Sequence, residues 1–516
     1  MDVSANSSSW SLHSHQAPPR PFLVNASSFC AAWPVACTRG LGILDDITVA
    51  RGVEWRGSDE RLYGIKRALE AGRAIAVAAL GGSISAGSAY SVKRSERGRY
   101  LFHAQLVDAL QHRFPRARHL HHNGAIPATG PAFFELCLDH QLPRRADQRP
   151  LLVLLEFACN LEGWQDASFE RLLRALLRRL GPLDAIIVVN AHTWRCGTPT
   201  RERPHQGCPS LEGVARSAPS RREEPFQLWD VPFAFARDNE NMVAAVCRQY
   251  DIPLVSMRAA LLTNTSEPQP PPAGVPLGSF MQDKRHPNAQ GHTFLAQLVL
   301  ARLLAARGPT MALRATEEAA AGLPSPLLPE GRELLGGQTS SLCARGAQLS
   351  TFARPRGFLL DDEGRGASKR GFVALEPGAS VRFSLGSSLA AFGAARRTQL
   401  FLGYLRSYAG MGRAAYACVG AGCRCESGTL EGHHRQRTSV TTLAKVALDR
   451  RGVNASSSCE LRLEVLPSTS SGAHKFKVLS LLLAPTGLRN AMIGVQGAAA
   501  HVGAGRESLY SYHPGW

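Results

Sequence analysis

The sequence predicts an α/β domain with a parallel sheet, followed by an all-β, sandwich-like domain. Two textures carry this expectation. Up to about residue 307, short runs that are apolar along their whole length alternate with segments whose apolar residues recur at helical spacing. That is the pattern of strands covered on both faces by helices. From about Cys343 onward, short alternating segments are separated by Gly, Ser and charged turns, as in packed antiparallel sheets.

Residues 1–60 read as a Ser/Pro-rich extension followed by an irregular stretch with two cysteines. The α/β domain is expected over 61–307, opening with a helix from Leu62 (LYGIKRALEAG) and a strand at Ala74–Leu80 that ends at Gly81-Gly82. A helix over Tyr100–Phe114 places Leu101, Leu106 and Leu110 at helical spacing. Strands at His119–Asn123, Leu151–Phe157, Asp184–Asn190 and Ile252–Ser256 are interleaved with helices at Ser168–Leu180 and Asp238–Gln249. The helix His292–Arg307 closes the domain, and the stretch EPQPPPAGVP ahead of it reads as a surface loop. Residues 308–340, rich in Pro, Gly and Ala, suit a linker. The β-rich domain is expected over 341–488, with strands at Phe372–Leu375, Ser380–Leu385, Gln399–Tyr404, Ala414–Cys418, Ser439–Leu443, Leu461–Val465 and Lys475–Leu483. Residues 489–516 read as a tail.

A length of 516 residues exceeds what one ordinary core organises, which fits two domains plus tails. Hydrophobic content of 44% with 19% charged residues excludes a disordered or fibrous chain. The longest apolar runs fall short of the roughly 20 residues of a membrane helix. The formal net charge is +18, carried mostly by arginines. They are scattered, and no zinc finger, helix-turn-helix or aromatic-plus-basic RNA motif occurs, so nucleic acid is not an expected partner. Acidic glycans stay open as a substrate or surface.

Twelve cysteines include the close pairs Cys30/Cys37 and Cys196/Cys208 and the trio Cys418/Cys423/Cys425. They lack zinc-site spacing and suit disulfides, without fixing the pairing. Sequons at Asn6, Asn25, Asn264 and Asn454 also favour a secretory, lumenal or extracellular setting, while the opening MDVSANSSSWSLHSHQ lacks the pattern of a signal peptide.

Two stretches carry chemistry. The first strand runs into Gly81-Gly82-Ser83-Ile84-Ser85, a tight glycine-rich turn that presents a serine at the carboxyl end of a parallel strand, where open sheets bind ligands. An ordinary strand-to-helix turn or a phosphate-cradling loop would look similar, but neither GxxxxGK[ST] nor GxGxxG is present. Far downstream, just before the last helix, stands Gln282-Asp283-Lys284-Arg285-His286-Pro287-Asn288. A serine nucleophile needs a base, and the imidazole needs an anion to fix its tautomer; Asp283 and His286 on one short loop can meet both needs.

GGSIS followed by DKRHPN resembles blocks I and V of the SGNH hydrolases, the GDSL-like esterases. The resemblance extends over about residues 62–307 and takes in two weaker blocks. Block III carries an Asn after a buried strand, matched here by Asn160, and block II a glycine at the position of Ala128 in NGAIPATG. It implies a three-layer α/β/α flavodoxin-like SGNH domain with a parallel sheet, with Ser83, Asp283 and His286 as catalytic triad. It further implies an oxyanion hole formed by the backbone N–H groups of Ser83 and Ala128 and by the Asn160 side chain. Three positions depart from the family pattern: Gly82 for Asp, Ala128 for Gly and Leu161 for Asp. Ala128 is the departure with most consequence, since a position needing positive φ resists alanine. The segment GYLRSYAGMG is similar, more vaguely, to accessory modules of algal and other eukaryotic members.

The expected function is hydrolysis of a carboxylic ester through an acyl-enzyme on Ser83, with O-acetyl groups on a carbohydrate as the favoured substrate class and no metal or organic cofactor. Two alternatives stay open: O-acyl transfer by the same triad, and a degenerate domain that binds glycans without turnover. The histidines His119, His121, His122, His433 and His434 read as packed or solvated, and Cys418, Cys423 and Cys425 as disulfide or free thiol.

Overall fold

The computed structural model describes residues 44, 46–87, 97–127, 129–143, 149–161, 167–192, 234–261, 281–282, 286–308, 322–328, 331–332, 342–364, 369–390, 397–435, 439–449 and 458–485. Its first sheet contains β1 (Val53–Trp55), β2 (Ala76–Gly81), β3 (Leu120–Asn123), β4 (Leu151–Glu156), β5 (Ala185–Asn190) and β6 (Leu254–Ser256), in the order β1-β6-β5-β4-β2-β3. β1 pairs antiparallel with β6, and every other pairing is parallel. The chain thus lays β3 to one side of β2, then crosses to β4 on the other side. The switch point falls beside β2, where ligands of open α/β sheets bind.

Strand alternation divides the apolar side chains between two cores. On one face Val77, Leu152, Leu154, Ile187 and Val189 pack with helices α2 (Glu60–Glu70), α3 (Phe102–Arg113) and α7 (Ala289–Leu304). On the other, Ala78, Leu80, Val153, Leu155 and Val188 pack with α4 (Pro131–Leu136), α5 (Ser168–Arg179) and α6 (Ala234–Gln249). Fully buried strands have no polar face to display, which is why their sequences read as continuous apolar runs.

Some boundaries differ from the sequence expectation. Helix α1 (Asp46–Gly52) and β1 lie in the stretch read as an irregular extension, yet β1 completes the sheet edge and α1 packs against the helical turn Met257–Leu261 and α7. Three residues are too few to show a strand period, so the sequence carried no signal for β1. The helix expected over Tyr100–Phe114 breaks at Leu101, whose extended backbone (φ −71°, ψ 141°) separates a short turn from α3. The last helix begins at Ala289, ahead of His292, because Asn288 caps it by accepting from Gly291 N at 3.0 Å.

The β-rich part has two antiparallel sheets. One runs β15 (Ser439–Asp449), β12 (Arg397–Ser407), β17 (Phe476–Pro485), β10 (Gly371–Ala374), β9 (Leu359–Asp361), with β7 (Leu342–Arg345) also on β17. The other runs β14 (Gly428–Glu431), β13 (Arg413–Val419), β16 (Glu460–Val465), β11 (Ser380–Ser384), β8 (Ala353–Arg356). Between them Leu400, Leu402, Leu481 and Leu483 meet Val381, Phe383, Leu461 and Leu463. Cys423–Cys459 and Cys418–Cys425 staple this unit.

The first of these sheets is apolar on its outer face too. Phe401, Leu482, Ala484 and Cys343 join the core cluster that contains Phe133, Phe134, Leu172 and Leu176 of α4 and α5, and Cys137, which follows α4, forms a disulfide with Cys343. The connection is also held: Glu170 of α5 accepts from Tyr250 Oη and from the backbone N–H groups of Leu327 and Leu328, at 2.6 to 2.8 Å. Part of the Pro/Gly/Ala-rich stretch read as a linker is therefore docked on α5. No helix among the described residues is long and apolar enough to cross a membrane.

Candidate active site

Ser83 opens a one-turn helix, Ser83–Ala86, at the carboxyl end of β2. The turn closes at Gly87, whose left-handed backbone (φ 69°) is strained for any residue with a Cβ. Its own backbone is tied down from the side of β3. Ser85 O accepts from Asn123 Nδ2 at 3.2 Å and lies 2.9 Å from His103 Nε2. A carbonyl only accepts, so His103 carries its proton on Nε2. Burial and the neighbouring His121 hold the His103 pKa down at about 3, so the ring stays neutral and its Nδ1 accepts from His121 Nε2 at 2.6 Å. His122 Nε2 donates to Gln141 O at 2.8 Å, and His119 Nε2 to Phe114 O at 3.2 Å. Three of these histidines were singled out from the sequence; each is engaged in packing around β3.

Ser83 Oγ lies 2.9 Å from His286 Nε2. The two residues are 203 positions apart, and His286 is held in place by a β-bridge between Met281 and Pro287 and by Gln282 N, which donates to His286 O at 2.8 Å. The Asn288 cap then ties the chain after His286 to α7. One turn further on, His292 Nδ1 accepts from Phe102 N at 3.3 Å; burial, reinforced by His286, keeps its pKa at about 3 and the ring neutral. Asp283 lies outside the described residues.

Asn160 approaches from β4 on a 3₁₀ turn, Ala158–Asn160. Asn239 of α6 pins this turn by donating from Nδ2 to both Ala158 O and Leu161 O at 2.8 Å. The Asn160 amide lies against Gly82: a Cβ there would sit 2.0 Å from its Oδ1. Gly82, a departure from the family pattern, is thus the residue that admits Asn160 beside the serine. Leu161, another departure, is buried in the core below.

Ala128 lies outside the described residues, but the chain leading to it is fixed. Gly124 N and Ile126 N both donate at 3.0 Å, to Ala79 O and Gly81 O, carrying the β2 pairing past the end of β3. This brings Asn123–Ile126 to the rim of the serine turn.

Sequence reasoning passed over Glu156 and Cys159. Glu156 ends β4 with no solvent exposure. Its Oε2 accepts from Ser85 N at 3.2 Å and Ser85 Oγ at 3.0 Å. Burial pushes its pKa up to about 7, against the pull of the Ser85, Cys159 and Gly82 donors. The available signal was one acid within the apolar run LLVLLEF, since a carboxyl group is seldom buried without a partner.

No known protein-family model and no curated protein sequence matches the chain. Among solved structures it is similar to a two-domain esterase (CEX) active on acetylated mannans, with TM-score 0.53 and 16% identity over 85% of this chain and 98% of that one. The same TM-score and identity hold for a two-domain esterase (CEX) active on acetylated mannans co-crystallized with mannopentaose, over 86% of this chain and 99% of that one. At this identity the likeness establishes a shared fold: an α/β domain followed by a β-rich domain, matched over nearly the full length of those esterases.

Proposed function

We propose that the chain is a serine esterase of the SGNH type that removes acyl groups from a carboxylic ester, with O-acetyl groups on a carbohydrate as its substrate class. The observation that carries this reading is the 2.9 Å approach of Ser83 Oγ to His286 Nε2 at the carboxyl ends of the parallel strands. The parallel order β3-β2-β4-β5-β6 is the 2-1-3-4-5 order of flavodoxin-like sheets, which supports the SGNH assignment. The domain boundaries we propose are those read from the sequence, with α1 and β1 added to the α/β unit. The substrate class draws on the shared two-domain fold of the mannan-active esterases.

In this mechanism His286 Nε2 accepts the Ser83 hydroxyl proton as Oγ attacks the ester carbonyl carbon. Asp283 holds the imidazole in the needed tautomer. The developing oxyanion is met by the N–H groups of Ser83 and Ala128 and by Asn160 Nδ2. Collapse expels the alcohol, which takes the proton from His286. Water, deprotonated by His286, then attacks the acyl-enzyme and releases the acid. Three disulfides among the described residues suit an oxidising compartment.

The test is labelling by a fluorophosphonate probe, comparing wild type with Ser83→Ala, together with release of acetate from acetylated mannan. Ser83-dependent labelling and free acetate are expected. Folded wild-type protein that takes no label at Ser83 would sink the esterase reading, and acetyl passed mainly to sugar hydroxyls would convert it to a transferase.

A further inference from the structure

The buried carboxyl group of Glu156 touches both halves of the site. Through Oε2 it grips the serine turn at Ser85 N and Oγ, two residues past Ser83. Its Oε1 lies 3.7 Å from Cys159 Sγ, and the same sulfur lies 3.1 Å from Asn160 Oδ1. Cys159 is partly buried against the core beneath. A thiol has one proton, and oxygens of both Glu156 and Asn160 face it. Given to Asn160, the closer of the two, it holds Oδ1 toward the sulfur and turns Nδ2, the only donor of the amide, outward. The contact between Glu156 and Cys159 is then a hydrogen bond only if the carboxyl group supplies the proton. Once Glu156 ionises, the carboxylate competes for the thiol proton through a stronger, charge-assisted bond, and Asn160 Oδ1 loses its donor.

We propose that Glu156 and Cys159 are positioning residues that orient the Asn160 amide through the chain Glu156–Cys159–Asn160, and that the protonated carboxyl group is the active form. The inference rests on the assignment of Ser83 and Asn160 proposed above. The groups facing Glu156 are Gly82 and Ser85 from the serine turn and Cys159 from its own. His103 reaches the same turn only at Ser85 O and stays neutral. With a pKa of about 7, the carboxyl group changes form in the middle of the working range.

The experiment measures kcat and KM for 4-nitrophenyl acetate from about pH 5 to about pH 9, with fluorophosphonate labelling alongside. Wild type should lose kcat on the alkaline side with a midpoint near 7, by on the order of tenfold, while KM changes little. Glu156→Gln can accept from Ser85 and donate to Cys159, a fixed copy of the protonated state, so the alkaline fall should vanish. Cys159→Ala should lower kcat by on the order of tenfold at every pH and also lack the alkaline fall, whereas Cys159→Ser, which keeps a donor, should recover kcat. A wild-type profile without the alkaline fall, or the same fall in Glu156→Gln or Cys159→Ala, overturns the proposal. Should Glu156→Gln not fold, the Cys159 pair reads the same chain. Intact labelling of Ser83 with unchanged profiles would refute this inference alone; absent labelling would refute the esterase reading beneath it.

Discussion

Substituting Gly82 by alanine should separate activity from stability. The added Cβ would sit 2.0 Å from Asn160 Oδ1 and 2.7 Å from its Cγ, where ordinary contact begins at 3.4 Å, so the amide oxygen must retreat by about 1.4 Å. The backbone cannot supply that movement, because Asn239 holds the carbonyls on both sides of Asn160 at 2.8 Å. The side chain must rotate, giving up the 3.1 Å contact with Cys159 and withdrawing Nδ2 from the developing oxyanion. Overpacking of this kind costs about 1–3 kcal/mol of stability, within reach of thermal unfolding. Loss of one oxyanion donor should lower kcat by about 10²–10³-fold with KM nearly unchanged. The double variant Gly82→Ala/Asn160→Ala removes both the clash and the donor. It should regain most of the stability and none of the activity, matching Asn160→Ala alone. Wild-type kcat in Gly82→Ala would refute the reasoning, since it would mean that the contact between Gly82 and Asn160 has no bearing on the chemistry.

Three further outcomes follow from the packing and the buried charge. Phe401→Ala removes an aromatic side chain from the face of β12 that meets α4 and α5 and should cost about 3–5 kcal/mol, resolving unfolding into two calorimetric transitions; one unshifted transition would show that the domains do not depend on this face. Cys343→Ala opens the disulfide that links the α/β and β-rich parts across 206 residues, and denaturant unfolding should register a loss of about 2–5 kcal/mol; an unchanged midpoint would leave the apolar contact as sole fastener. The Glu156 pKa is raised from 4.5 to about 7 by burial, so the folded state binds the extra proton between these values. Stability is full below the lower value and falls by about 3 kcal/mol as pH rises through the upper one, and Glu156→Gln should flatten that slope in urea titrations at pH values on either side.

How much of this was legible in the sequence depended on period and on length. Strands such as Leu151–Glu156 and Ala185–Asn190 are buried on both faces and announce themselves as apolar runs. The three-residue β1 has no period to read, whereas β12 and β17 announce themselves as strands although both of their faces are covered. That Ser83 and His286 meet, and that Asn160 lies beside the serine turn, could be anticipated because each stands at a strand end or helix start marked by Gly, Pro or Asn. Their supporting residues could not. Asn239 reaches back 78 and 81 positions along the chain to two carbonyls, and no local rule marks a helical Asn for that task. The disulfides were legible only as likelier among near neighbours, and Cys423 pairs instead with Cys459, 36 residues away. The cysteines near residues 30 and 200 and all four sequons lie outside the described residues.

The departures from the family pattern bear on whether the site has decayed. Taken one at a time, Gly82 and Leu161 look like drift. In the structure they belong to one arrangement: Gly82 leaves the volume that the Asn160 amide fills, and Leu161 enters the core while its carbonyl accepts from Asn239. Glu156 and Cys159 then occupy the remaining hydrogen-bonding positions around the serine turn. The position of the Glu156 carboxyl group beneath Ser85, in contact with the thiol that meets Asn160, is what the proposed positioning role of Glu156 requires.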